Sequence, residues 1–347
     1  MIGANFPYRP LLRNGDLQTI VARYWPTPFR EGQWRCEEKY FQTSPDVKVL
    51  AHLDTRLDGE SSGTIVAVHG LTASSGAPYM LHLVQAALEA GMSVVRLNVR
   101  NCGGTEHLAP TLYHSGLTED LHSVVQQLAP RPLVLAGFSM GGNIVLKAAG
   151  EWGGQPPSHV KGVCGVSVPI RLGQCARHLG TPRNRFYELR FLRQLRRTVR
   201  AKQRIMPERF SSLRPDGAGS IYEFDDQVTA PTFGFRDADD YYEQSSSSRF
   251  LENIGLPALL IQAKDDPFIP FEVFDDPVFT QNPFLQLVAT QHGGHVAFLA
   301  KQAPRFWAQH LVARFAKELL YPSYPETSTR GQPGGGGSEY QQQLKMK

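Results

Sequence analysis

Leu133-Val134-Leu135-Ala136-Gly137-Phe138-Ser139-Met140-Gly141-Gly142-Asn143-Ile144-Val145-Leu146-Lys147-Ala148-Ala149 is the stretch that decides how this chain is read. Leu133 to Ala136 is an unbroken apolar run with the character of a buried strand, and Asn143 to Ala149 reads as a helix. Gly137-Phe138-Ser139-Met140-Gly141 between them is a G-x-S-x-G turn. A serine on so sharp a strand-to-helix turn has its hydroxyl pushed out of the sheet. Gly137 and Gly141 keep neighbouring side chains from colliding with the strained backbone. A glycine-rich turn can hold a serine without any chemistry; the strand before it and the helix after it favour the functional reading.

Working outward, Thr64-Ile65-Val66-Ala67-Val68 is a second buried run that ends at His69-Gly70, and Ser93-Val94-Val95-Arg96-Leu97 is a third, reached through a helical stretch from Met80 to Ala90. Leu117, Leu121, Val124, Val125 and Leu128 recur at helical spacing before Leu133. Val163 to Val168, Ala258 to Gln262 and Leu285 to Val288 add short strand candidates. Strands that alternate with helices and are almost wholly apolar imply a mostly parallel central sheet covered on both faces. The more polar residues before about Asp58 are expected to form an antiparallel edge. Between Pro169 and about Leu251 the alternation stops, and Phe191, Leu192, Leu195 and Val199 show helical periodicity. The expected organisation is an α/β core at 1–168 and 252–321 with an inserted helical cap at 169–251. The segment 322–347, with Gly334-Gly335-Gly336-Gly337-Ser338, has a composition expected to stay disordered.

The chain of 347 residues is 41% hydrophobic and 20% charged. No apolar run approaches the ~20 residues that span a bilayer. The first thirty residues mix Arg9, Arg13, Asp16 and Arg23 with prolines and lack a secretory signal pattern, so a soluble, cytoplasmic protein is expected. Cys36, Cys102, Cys164 and Cys175 are scattered without a C-x-x-C pair, which argues for reduced and mostly buried thiols rather than a metal or redox site. The net charge of +4 hides an asymmetry: from Arg171 to Arg214 there are 13 Arg and Lys against 2 Glu, so this segment carries +11 and the rest −7. A run of this kind is usually a solvated helix face; peripheral contact with an anionic membrane surface or a substrate phosphate is the functional alternative. Phe186, Tyr187 and Phe191 within it fit the apolar side of a cap over an acyl pocket rather than nucleic-acid binding.

A serine hydroxyl is a poor nucleophile at neutral pH and needs a base, itself oriented by a carboxylate. In this kind of fold both follow the serine in the chain, on loops after later strands. Two candidates stand at each place: Asp265 and Asp266 just after Ala258 to Gln262, and His292 and His295 after Leu285 to Val288. His295 is preferred because Gly293 and Gly294 let the loop carry its ring toward Ser139, and because Val296-Ala297-Phe298-Leu299 reads as the start of the last helix. Asp266 is preferred because it stands four residues before Pro270, where related hydrolases place the acid; Asp265 then caps the loop. Backbone N–H donors for a developing oxyanion are expected from Met140 and from Leu71 in His69-Gly70-Leu71, with His69 and Gly70 shaping that turn. Asp237, Asp239 and Asp240 are expected to pair with the basic cap. Arg100, Asn101, His114 and Asp120 read as a structural hydrogen-bond network rather than a metal shell.

With these residues in place the chain resembles the YheT-type members of the α/β-hydrolase superfamily, a group that also holds eukaryotic abhydrolase-domain esterases and phospholipases. The resemblance runs from about Pro7 to Tyr321. It rests on Asn14-Gly15-Asp16-Leu17-Gln18-Thr19, His69-Gly70-Leu71, Asn98-Val99-Arg100-Asn101-Cys102-Gly103-Gly104, Tyr113-His114-Ser115-Gly116-Leu117-Thr118-Glu119-Asp120, Tyr241-Tyr242 and Asp265-Asp266-Pro267-Phe268. It implies a serine carboxylesterase or lipase-like hydrolase with Ser139, Asp266 and His295 as its triad and no cofactor or metal. Relatives often have histidine where Asp16 stands, and the terminal tail has no counterpart among them. Short- to medium-chain or lipid-like esters such as a monoacylglycerol are the expected substrates. The rival readings are an acyltransferase using the same acyl-enzyme, a phospholipase-like hydrolase and a non-catalytic ligand-binding protein. Acyl substrate and oligomeric state are not encoded in these motifs.

Overall fold

Residues 6–27, 34–59, 61 and 63–321 are described by a computed structural model. The 322–347 tail lies outside the described residues. Eight strands form one sheet: β1 (Arg35–Ser44), β2 (Val47–Thr55), β3 (Thr64–Val68), β4 (Ser93–Leu97), β5 (Leu133–Phe138), β6 (Val160–Val166), β7 (Ala258–Ala263) and β8 (Leu285–Thr290), in the order β1-β2-β4-β3-β5-β6-β7-β8. β3 to β8 run parallel, and β1 and β2 add an antiparallel hairpin that joins β4. Of the polar leading segment only β1 is a solvated edge, from Arg35 to Tyr40; β2 buries Val47, Val49, Leu50 and Ala51.

The apolar runs form strands because each residue has a core to enter on either face. Val66, Val68, Leu133 and Leu135 face one hydrophobic cluster, while Ile65, Ala67, Val134, Ala136 and Phe138 face the other, as the two-residue period of a strand requires. The second cluster is closed by Pro78–Glu89 and by the last helix, Trp307–Leu320, through Met80, Leu83, Trp307 and Leu311. Arg96, the one charge in β4, is buried against Asp54 of β2, with Nε 2.6 Å and Nη2 3.0 Å from the carboxylate oxygens, and its Nη1 donates to Ser75 O at 2.6 Å. The pair ties the hairpin to the parallel strands, since a buried charge is tolerated only when paired and hydrogen-bonded.

Glu119–Gln127 and Met140–Trp152 follow β4 and β5. From Leu172 to Asn253 the regular elements are all helices, joined by turns, the longest being Arg185–Ile205. On that helix Leu192 and Val199 are buried in the first cluster, with Phe191 and Leu195 packed against it. Many arginines of the basic segment have acidic partners: Arg171 with Asp276, Arg177 with Asp239, Arg183 with Asp16, and Arg200 with Asp216. Lys202 is wholly buried, its ammonium donating to the carbonyls of Glu106 and Ala109. Arg100 holds Asp120 and Thr111, and Asn101 holds Thr111 O.

One sequence expectation is corrected. Val296-Ala297-Phe298-Leu299 does not begin the last helix: Val296 and Phe298 have positive φ, Leu299 bridges Phe306, and the helix starts at Trp307. The apolar run reflects burial of a turn and the short bridged stretch after it, with Ala297, Phe298 and Leu299 wholly buried. Leu299 O accepts from Leu11 N at 2.8 Å and Leu299 N donates to Gln18 Oε1 at 2.8 Å. Both partners lie almost the whole chain away.

Candidate active site

Ser139 stands between the last residue of β5 and the first of the helix Met140–Trp152, at φ 54° and ψ −124°. This left-handed conformation is costly for a residue with a side chain and persists only where its surroundings hold it. Ser139 N donates to Val166 O at 2.8 Å, and Ser139 O accepts from Gly142 N at 2.8 Å, so the neighbouring strand and the helix fix both sides of the turn. The glycines are required by close approach. A Cβ on Gly137 would lie 2.2 Å from Gly141 O, and one on Gly141 would lie 2.3 Å from Val68 O. Gly70 faces the serine itself, where a Cβ would sit 3.0 Å from Ser139 Cβ and 3.5 Å from its Oγ.

The two neighbouring backbone donors have no hydrogen-bond partner among the described residues. Met140 occupies the first helical position, whose N–H has no acceptor inside the helix. Leu71 N has no hydrogen-bond partner among the described residues, whereas Gly70 N donates to Tyr79 OH at 3.0 Å and Thr72 N to Tyr113 OH at 3.3 Å. His69 is wholly buried, and burial pulls its pKa down to about 4, which keeps it neutral. Its Nδ1 donates to Gly70 O at 2.8 Å and its Nε2 accepts from Val99 N at 3.1 Å. Both nitrogens are thus occupied in shaping the turn.

The structure sorts the doubled acid and histidine candidates into two pairs. Asp266, its side chain fully buried, receives His295 Nδ1 at 2.9 and 3.1 Å. Its Oδ1 also accepts from Phe268 N at 2.9 Å and Ile269 N at 3.2 Å, and Gln262 Nε2 lies 3.3 Å from Oδ2. His295 Nε2 has no partner among the described residues, its ring packs on Phe268 with centroids 4.4 Å apart, and it lines the same cleft as Ser139. Asp265 instead accepts from Gly294 N at 3.0 Å and pairs with His292 Nδ1 at 3.1 Å, bracing the loop from outside.

What holds the His295 loop was not legible from its own sequence. The helix Gly15–Tyr24 lies against it: Thr19 Oγ1 accepts from His295 N at 2.8 Å, and Gly294 N-terminal to it packs so closely that a Cβ there would be 2.4 Å from Gly15 O. Ser167 Oγ accepts from Val296 N at 3.0 Å on the other side. Asp16 of the same helix receives Tyr187 OH at 3.1 Å and Arg183 at 2.9 Å, tying this helix to Arg185–Ile205 and the turn before it. Asn14 to Thr19 stood in the sequence as a motif without a role, because all its partners are distant in the chain. Thr19→Val leaves His295 N–H without an acceptor, a loss of about 1–3 kcal/mol in a buried setting. The expected result is about a tenfold fall in kcat with little change in KM, restored by Thr19→Ser; steady-state kinetics on any accepted ester would check it.

Two spaces meet at Ser139, sharing Leu71, Phe191 and Phe268 as walls. One is an apolar cavity beneath the helical segment, lined by Leu172, Cys175, Leu195, Val199, Ile221 and Phe224 among others. The other is a more open cleft toward solvent that includes Thr19, Arg23, Tyr79, Arg190 and His295. A ligand bound at such a junction would have one arm in apolar surroundings and the other in the open cleft.

The chain has relatives among known proteins. Residues 63–302 match the alpha/beta hydrolase fold family, and the chain belongs to that family. It is 32% identical over 273 residues to "Putative esterase YheT" of Escherichia coli, covering 76% of this chain and 79% of that one. It is 34% identical to Phospholipase ABHD3 of Mus musculus over 72% of this chain, which spans only 61% of that relative's length. The Monoacylglycerol lipase of Saccharomyces cerevisiae is 26% identical over 88% of this chain and 69% of its own. Among solved structures the Pyrococcus furiosus esterase Pf2001 superposes with a TM-score of 0.55 at 17% identity, covering 83% of this chain and 94% of that one, a likeness of fold.

Proposed function

We propose that the chain is a serine hydrolase of carboxylic esters with lipid-like substrates, working through an acyl-enzyme on Ser139. The observation that carries this reading is the meeting, in one cleft, of a strained serine at the head of a helix and a histidine whose Nδ1 is held by a buried, backbone-anchored carboxylate. His295 takes the Ser139 proton through Nε2 as Oγ attacks the ester carbonyl, and Asp266 keeps the imidazole in the tautomer that allows this. Leu71 and Met140 N–H groups receive the oxyanion. Collapse expels the alcohol, protonated by the imidazolium, and water then releases the acid by the same sequence in reverse. No cofactor enters.

The same reading makes 169–251 a cap that roofs the acyl cavity of a core formed by 1–168 and 252–321. It also gives the mouth of the cleft a role. Leu17, Ile20 and Tyr24 on one helix and Phe186 and Leu189 on another are all exposed, Tyr24 by 77% and Phe186 by 74%. Arg23 and Arg190 line the same cleft as Ile20, Tyr24 and Phe186, without an acidic partner among the described residues. Exposed apolar and aromatic side chains beside arginine suit peripheral contact with an anionic lipid surface; among the described residues no helix is long and apolar enough to cross a membrane.

An ester panel graded by acyl length, with a monoacylglycerol and a phospholipid presented in anionic and in neutral vesicles, tests this reading. Ser139-dependent hydrolysis that is faster on anionic vesicles is expected. If no ester is hydrolysed, or if added alcohol diverts nearly all of the acyl group from water, hydrolysis is the wrong reaction.

A further inference from the structure

Asp225 is a carboxylate in the wall of the apolar cavity, and the mechanism above gives it nothing to do. It is largely enclosed by protein, keeps part of its surface accessible, and is one of the residues lining the cavity. The backbone around it is irregular: Asp225–Thr229 is a π-helical turn inside an otherwise α-helical run, a feature that in other proteins often marks functional positions. Each carboxylate oxygen accepts one hydroxyl, Oδ1 from Thr229 at 2.6 Å and Oδ2 from Tyr242 at 2.7 Å. That leaves acceptor capacity on both oxygens.

Its neighbours supply no countercharge. Among the described residues, none of those lining the cavity is a lysine or arginine. Burial, with Lys147 and Arg100 adding to it, pulls the His114 pKa down to about 3, so this histidine is neutral. Tyr241 and Tyr242, from the helix Ala238–Ser245, have their pKa pushed above the ordinary range, so their hydroxyls keep their protons, and Cys175 opposite stays a thiol for the same reason. Tyr222 and Glu223 of the preceding turn face away, toward Asp239 and Gly219. The aromatic rings of Tyr113, Phe191, Phe224, Tyr241, Tyr242 and Phe268 make up much of the remaining wall. A carboxylate among aromatic faces, with no cation of its own, offers both of the features that bind an organic cation, Coulomb attraction and cation–π contact.

We propose that Asp225 and the tyrosines around it form a subsite for an ammonium group carried by the part of the substrate that enters this cavity. The inference rests on the reading of that cavity as the acyl pocket of Ser139. It deepens that reading by adding a charge preference to an otherwise apolar pocket. Burial raises the Asp225 pKa to about 6, while the Thr229 and Tyr242 hydroxyls hold it down. The carboxylate is therefore charged above that pH and neutral below it. An ammonium is favoured at neutral and alkaline pH, and plain alkyl chains lose that handicap as the pH falls.

The test uses two matched series of esters of graded acyl length, one ending in trimethylammonium and the other in its carbon isostere, tert-butyl. The readout is the ratio of their kcat/KM values from pH 5 to 8, in which any pH dependence common to the two series cancels. The expected ratio for one chain length is about tenfold or more in favour of the ammonium at pH 8, falling toward unity at pH 5. Asp225→Asn should flatten the ratio at every pH. Thr229→Val, which removes a hydroxyl that steadies the charged form, should move the midpoint to higher pH, and it gives a readout even if the asparagine variant folds poorly. Equal rates for the two series at all lengths and pH values, with tert-butyl esters still cleaved, would overturn the subsite and leave the hydrolase reading standing. Failure to cleave either series would overturn both.

Discussion

Asp266→Asn is expected to lower kcat for ester hydrolysis by about 10³–10⁴-fold, because an amide in that place no longer enforces the imidazole tautomer that accepts the serine proton. The geometry makes the loss specific to this carboxylate. Asp266 holds His295 Nδ1 at 2.9 Å and is itself fixed by the N–H groups of Phe268 and Ile269. Asp265, one residue earlier, reaches His292 and Gly294 N. Asp265→Asn keeps an oxygen for Gly294 N–H and loses about one hydrogen bond, so its kcat should stay within about tenfold of the native value. Comparable losses in the two variants would mean that the acid has been placed on the wrong residue. His292→Ala and His295→Ala should differ in the same sense.

Gly141→Ala is the second change with a large expected effect, on stability as well as rate. The new methyl would sit 2.3 Å from Val68 O and 2.6 Å from His69 O, both backbone atoms that cannot turn aside. Overpacking of this kind costs about 3 kcal/mol or more, which for a domain of this size is a fall of roughly 6–12 °C in Tm. Relief requires the helix to move away from β3, and that carries Met140 N–H away from Leu71 N–H. The activity left in the folded fraction should therefore drop by about 10²–10³-fold, as when an oxyanion donor is lost. Gly154→Ala is the control: nothing lies within 4 Å of the added carbon, so Tm and activity should hardly move. Differential scanning calorimetry beside kinetics separates the two effects.

The contrast between these sites shows what a chain of residues discloses about itself. β3, β5, β6 and β7 were legible because a strand buried on both faces is apolar at nearly every position, and local composition reports that directly. The turn at Ser139 was legible for a related reason, since only glycine fits where backbone meets backbone. The last helix was placed about eleven residues early: Val296 to Leu299 are apolar because they are buried in a turn and the bridge after it, and the Leu11 and Gln18 partners of Leu299 are invisible to a local window. The same holds for Thr19 against His295, and for Asp16 against Tyr187. Adjacent Asp265 and Asp266 differ only in the side of the loop on which each carboxylate falls. That is set by the path of the backbone between β7 and Phe268 and by no property of the residue type. Asp225 fell inside a stretch read simply as cap, and neither its enclosure nor the π-turn that carries it leaves a mark in the sequence.

The central claim is that Ser139 is the nucleophile that becomes acylated. Treating the full-length protein with a fluorophosphonate and mapping the adduct by mass spectrometry tests it directly. A single stoichiometric adduct on Ser139 is expected, absent from Ser139→Ala, greatly slowed in His295→Ala and blocked by prior incubation with an ester substrate. An unlabelled native protein, or equal labelling of Ser139→Ala, would contradict the account.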